Sequence, residues 1–179
     1  MGLLSLIRRG KFERAGFELY NAAVIAARAP FLYTGLGVPD TLDGRFDMIG
    51  LFVSLLIQRL QGDSARGAEL AQAVFDAMFS DMDTTLRELG VSDMAVGKRV
   101  RAMWEALHGR SAAYAEAVAA GDREALAAAI ARNVWRGAAP DAAARDLADT
   151  ALRQYRHLVD QPLASLLAGR ALFLPAVAA

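Results

Sequence analysis

A chain of 179 residues with 20 Lys plus Arg against 20 Asp plus Glu carries no net charge, so it lacks the overall positive field with which nucleic-acid binders meet phosphates. The absence of cysteine excludes disulfides, thiolate metal sites and thiol nucleophiles. A domain of this length buries roughly 70% of the surface of its unfolded chain, and the 55% hydrophobic share is swollen by alanine, a helix former of little apolar bulk.

Met1 to Ile7 is apolar, and its positive charges Arg8, Arg9, Lys11 and Arg14 come afterwards, the reverse of a secretory signal. That order predicts a cytoplasmic chain. With only Glu13 opposing them, the first fourteen side chains sum to +3. The segment 1–10 is therefore read either as a surface-seeking amphipathic helix or as an ordinary helix docked on the fold. The apolar spacing then predicts a helix over about 11–28, burying Phe12, Phe17, Tyr20 and Val24 and stopping before Pro30. Residues 32–44 form the main irregular segment, rich in Gly, Pro and Asp.

A second helix over about 45–61 is apolar nearly all round and belongs at the centre of a bundle. Asp43 is the expected N-cap. The helix has one narrow polar stripe, Asp47, Gly50, Ser54, Gln58 and Gln61, whose small members would let another backbone approach closely. After a turn at 61–64, a third helix presents Val74, Phe75, Met78, Phe79, Met82 and Leu86, and Gly90 is its expected C-cap. Its acidic face, Asp76, Asp81, Asp83 and Glu88, is read as solvated or salt-bridged, since it lacks the turn of a calcium loop.

Ser92 is the expected N-cap of a long fourth helix carrying Val96, Val100, Met103, Trp104, Leu107, Tyr114 and Val118 inward as far as Gly121. The cationic stretch Lys98, Arg99 and Arg101 on its polar side is read as pairing with the acidic third helix, or as meeting anionic lipid or an acidic partner. A fifth helix runs from Asp122 to Gly137. A sixth has Pro140 at its first position and buries Leu147, Leu152, Tyr155 and Leu158. A short helix from Pro162 to near Gly169 precedes the apolar tail 170–179. The fold class is all-α: one domain over 1–179, a bundle of six to seven helices around a central apolar helix. The longest apolar run, Met48 to Ile57, falls far short of the roughly 20 residues of a membrane span.

Chemistry-bearing constellations are scarce. His108 and His157 are too far apart for a metal pair, and no nucleophile elbow, phosphate loop or dinucleotide fingerprint is present. The expectation is a non-enzyme with no cofactor and no metal.

Several segments resemble the ubiquinol–cytochrome c chaperone family. The most specific is Leu36-Gly37-Val38-Pro39-Asp40-Thr41-Leu42-Asp43-Gly44-Arg45-Phe46-Asp47, followed by 75–83, 89–93, 97–100, Tyr114 and Ala131-Arg132-Asn133-Val134-Trp135-Arg136-Gly137. The resemblance implies a non-catalytic assembly factor that helps newly made cytochrome b mature into the cytochrome bc1 respiratory complex. It points to a compact bacterial form, with cytochrome b or another bc1 subunit as partner, no nucleic acid, and a place at the inner face of the membrane. Candidate client-binding residues are Asp40, Arg45 and Asp47 as a polar rim, with Phe75, Met78, Phe79, Met82 and Met103 lining an apolar groove or forming the core. Candidate partner or lipid contacts are Arg8, Arg9, Lys11, Lys98, Arg99, Arg101, Arg132 and Trp135. Two other readings stay open: a peripheral membrane-binding adaptor that holds no client, and a haem- or small-molecule-binding helical protein.

Overall fold

The computed structural model describes residues 3–62, 64–140 and 142–176, with side chains from residue 12 onward. Among the described residues there are eight helices and no strand: α1 (Leu3–Ala27), α2 (Pro30–Thr34), α3 (Leu42–Gln61), α4 (Ala65–Glu88), α5 (Asp93–Ala120), α6 (Arg123–Val134), α7 (Ala143–Val159) and α8 (Leu163–Leu167). The all-α bundle expected from the spacing is observed. The short helix expected after Pro162 is observed as α8, and one further five-residue helix, α2, raises the number of elements above the expected six to seven.

α3 is the central helix, with fourteen of its twenty residues buried, and it packs against α1, α4, α5, α6 and α7. α1 lies along α4, and α6 pairs with α7. Six expectations need correction. Phe17 is 57% exposed and Trp104 41% exposed, so neither belongs to the core. The irregular segment 32–44 contains α2, which Pro30 opens at its first position. α3 begins three residues earlier than expected and is capped not by Asp43 but by Thr41, whose Oγ1 accepts from Gly44 N at 3.1 Å. Gly44 is required there because a Cβ would lie 2.0 Å from the Pro39 carbonyl oxygen. Pro140 precedes α7 by three residues, and a turn from Pro140 O to Ala143 N enters the helix instead. Gly90 and Asp122 perform the terminal roles expected of them.

The apolar tail is strapped to the bundle by an arrangement that periodicity does not announce. The Gln154 amide donates to Leu174 O at 2.7 Å and accepts from Leu174 N at 2.8 Å, and Gln161 does the same with Leu172 at 2.7 and 2.9 Å. Each amide thus mimics a neighbouring strand, satisfying alternate backbone groups of an extended segment. The residue between, Phe173, packs its ring against Phe52 with centroids 5.6 Å apart. Gln154 is only 1% exposed, so truncating it strands the Leu174 backbone groups without partners. Gln154→Ala is expected to cost about 2 kcal/mol, measured by denaturant unfolding, with enhanced proteolysis of the tail.

Candidate functional site

The polar stripe on α3 is where the expected close approach of another helix occurs. A Cβ on Gly50 would lie 2.8 Å from Leu107 Cδ1, so glycine at that position lets α5 sit close to α3. The remaining stripe members bond to α5 one turn after another. Ser54 Oγ and Ser111 Oγ are 2.7 Å apart, and Gln58 Nε2 donates to Ala115 O at 2.9 Å. Ser54 Oγ also lies 2.7 Å from Gly50 O. Gln61 at the end of the stripe is exposed.

At the first stripe position the chemistry is ionic. Asp47 is buried, and its two carboxylate oxygens take Arg110 of α5 and, at 2.8 Å, Arg136 from the turn after α6. Burial pushes the Asp47 carboxyl above the ordinary carboxylate value, and the two guanidinium groups offset part of that rise. Arg136 reaches the carboxylate from a left-handed backbone, φ 55°, a conformation that costs a non-glycine residue roughly 1–2 kcal/mol. Around this hub, Asn133 Nδ2 donates to Tyr114 Oη at 3.0 Å, and Trp135 Nε1 donates to Gly37 O at 2.9 Å. Burial raises the Tyr114 phenol to about 12, which keeps it protonated. The hub therefore joins α3, α5, α6 and the loop between α2 and α3.

These positions correct the sequence reading. Asp47 does not stand on a rim; it is enclosed and doubly paired. Met78 and Met82, at 0% and 6% exposure, belong to the core and cannot line an open groove. Phe75, Phe79 and Met103 are half-buried, the two phenylalanine rings stacking obliquely with centroids 4.7 Å apart. Trp135 is buried, which removes it from the contact surface, whereas Arg132 is exposed. Asp40 and Arg45 do form an exposed pair at the entrance to α3, 2.6 Å apart, and the Arg45 guanidinium holds the Asp40 carboxyl below its ordinary value. Arg8, Arg9 and Lys11 fall on α1, but their side chains lie outside the described residues.

Lys98, Arg99 and Arg101 are exposed and do not pair with the acidic helix α4. Arg101 pairs with Glu105 on its own helix, at 3.0 Å, while on α4 Arg87 takes Asp83 and also reaches Asp93. α5 also exposes Met94 and Trp104, whose indole stacks on His108 with centroids 5.3 Å apart. A second surface, missed in the sequence, is a groove of about 840 Å³ between α1 and α4. The sequence offered two signs of it, the helical spacing of polar residues along α4 and Phe17 on α1. Assigning Phe17 to the core concealed the groove. Among the described residues, no three His, Cys, Asp or Glu side chains converge as a metal site requires, and no helix is long and apolar enough to cross a membrane.

Removing Asp47 while keeping both arginines leaves two cations without their shared anion, one of them largely buried. Asp47→Ala is expected to destabilise by about 3 kcal/mol, lowering the thermal midpoint by about 6–12 °C in a domain of this size. Arg136→Gly loses the same ion pair as Arg136→Ala but relieves the left-handed backbone. Denaturant unfolding should find the glycine variant about 1 kcal/mol the more stable of the two.

Comparison with known proteins adds three likenesses. Residues 34–173 match the family model described as ubiquinol-cytochrome C chaperone. A Xenopus laevis protein named ubiquinol-cytochrome-c reductase complex assembly factor 1 is 23% identical over 124 residues, 69% of this chain and 62% of that protein, so the chain spans less than two thirds of that relative's length. The crystal structure of the Cbp3 homolog from Brucella abortus matches with a TM-score of 0.83 at 34% identity, covering 97% of each chain.

Proposed function

The chain belongs to the ubiquinol–cytochrome C chaperone family, and from that membership we propose that it is a non-catalytic assembly factor of the cytochrome bc1 complex whose client is newly made cytochrome b. The observation that carries this reading is the family match over residues 34–173, which takes in every residue of the Asp47 hub. The hub itself supports a scaffold role. Its one buried carboxylate is engaged by two guanidinium groups and has no free face for proton transfer to a substrate. The surfaces left open are the Asp40–Arg45 pair, the cationic face of α5 and the groove beside α4.

The client reading is tested in cells of the native host by removing the chain and measuring assembled bc1 complex and the visible absorbance of cytochrome b. Both should fall and both should return with the wild-type chain; unchanged levels would refute the reading. Within that assay, Asp40→Ala with Arg45→Ala is expected to reduce assembled complex while the thermal midpoint of the purified protein stays unchanged, because both side chains are exposed. A parallel fall in midpoint and yield would make the pair structural.

The α5 surface favours a contact with the membrane during this work, since Lys98 lies one turn from exposed Met94 and Arg99 and Trp104 are exposed on the same helix. Replacing Lys98 and Arg99 with glutamate is expected to lower co-sedimentation with anionic liposomes and to leave binding to neutral liposomes unaltered. Equal recovery with anionic liposomes before and after would remove the membrane contact.

A further inference from the structure

The groove between α1 and α4 has a chemistry of its own. Its floor is apolar, with Phe12, Ala73 and Ala77, and Phe17 stands 57% exposed at its side. Glu13, Glu69, Asp76 and Asp81 also line it, and among the described side chains, which begin at residue 12, no lysine or arginine does. In a chain of zero net charge this is a local concentration of negative potential over apolar surface. The lining residues of α4 run from Glu69 to Thr84 at helical spacing, a trough of about 22 Å at 1.5 Å per residue. That length suits four turns of helix rather than a compact small molecule.

Contacts within the chain hold the groove in shape. α1 and α4 touch at Gly16, where a Cβ would lie 2.7 Å from Ala73 atoms. Tyr20 Oη donates to Asp81 at 2.6 Å, and Gln72 Nε2 donates to Asp76 at 2.7 Å. These bonds fix two of the carboxylates while leaving oxygen atoms for a further partner.

We infer that this groove docks a basic amphipathic helix, the lysine- and arginine-bearing flank of a membrane-protein client, laying its apolar stripe on Phe12 and Phe17 and its cations against Glu13, Asp76 and Asp81. The inference deepens the assembly-factor reading and rests on it for the client. The charge complementarity is to the flank of a membrane helix on the cytoplasmic side, where lysine and arginine accumulate.

The probe is a fluorescently labelled amphipathic peptide of about 15 residues, with lysines on one face and leucines and a phenylalanine on the other. Its control has glutamine for each lysine, and binding to the full chain is followed by anisotropy. The lysine peptide is expected to bind at least about tenfold more tightly than the control. Glu13→Gln with Asp76→Asn should weaken it about tenfold at low salt and by less at high salt, as screening removes the difference. Phe17→Ser should weaken both peptides at every salt concentration, with circular dichroism and thermal midpoint unchanged. If the double variant does not fold, the Phe17→Ser variant and the salt dependence of the wild type decide the matter.

Equal binding of the two peptides, or binding indifferent to these substitutions, overturns the inference. So does a dimer in sedimentation that Glu13→Gln with Asp76→Asn dissolves, which would give the groove to a second copy. In cells, full bc1 assembly with the groove variants overturns the docking inference and leaves the assembly-factor reading intact. Loss of the whole chain without effect on bc1 does the reverse, since the peptide result then stands by itself.

Discussion

A helix that is apolar on nearly every side can be buried in many rotations, and the fold depends on α3 having only one. Apolar contact is nearly indifferent to rotation about the helix axis, because burial scales with area and not direction. The direction is set by the few polar groups that α3 takes into the interior. Asp47, Ser54 and Gln58 must face partners or carry a desolvation penalty, and α5 supplies those partners in register. Near the other end of α3, the buried Arg59 donates to Leu158 O and Gln161 O at 2.9 and 3.0 Å, so the same helix also closes the C-terminal end of α7. The polar residues contribute little net stability, but each makes wrong rotations costly.

This division explains why some of the structure was legible in the sequence and some was not. Helix existence follows from spacing, and the central place of α3 follows from its having almost no polar face. The narrow stripe Asp47, Gly50, Ser54 and Gln58 announced a close neighbour. It did not name Arg110 or Arg136, because a helix in sequence gives no measure of which residues another helix brings to it. Arg136 was hidden further by its left-handed backbone, which no helical pattern predicts. Phe17 and Trp104 sit on helical stripes beside core residues, and periodicity alone cannot separate the last core position from the first exposed one. The same ambiguity placed Met78 and Met82 among groove candidates when they fill the core. The tail strap was illegible for another reason, since Gln154 on α7 and Gln161 just past its end carry no signal until the chain folds back upon them.

Three of the segments through which the chain resembles its family, 36–47, Tyr114 and 131–137, converge on the hub. Gly37 accepts from Trp135, Asp47 takes Arg136, and Tyr114 accepts from Asn133, which ties the loop before α3 to the end of α6. Much of that signature is thus spent on fixing how helices meet. Asp40 and Arg45 are different, because they lie in the same motif yet pair in solvent and secure no neighbouring helix. A buried motif residue is explained by packing, whereas packing leaves an exposed one unexplained, which is what supports the proposed client role of the pair. That contrast separates Asp40 and Arg45 from Asp47, although all three lie within eight residues of sequence.

An assembly factor must release what it holds, and the open surfaces are suited to a weak grip. Ion pairs that remain in solvent contribute about 0–1 kcal/mol each, and covering one aromatic side chain contributes about 1.5–3 kcal/mol. Three such pairs and Phe17 together reach about 1.5–6 kcal/mol before the entropy of association is counted, which corresponds to a dissociation constant no tighter than roughly tens of micromolar. The groove offsets part of that entropy by being formed in advance, through Tyr20, Gln72 and the Gly16 contact. Affinity of this order holds a client only where local concentration is high, as it is for a flank and a chaperone confined to the same membrane surface. In the proposed docking, once the client's helix finds its place among other membrane helices its cations and apolar stripe are withdrawn, and no strong contact among the described residues of the groove opposes the departure.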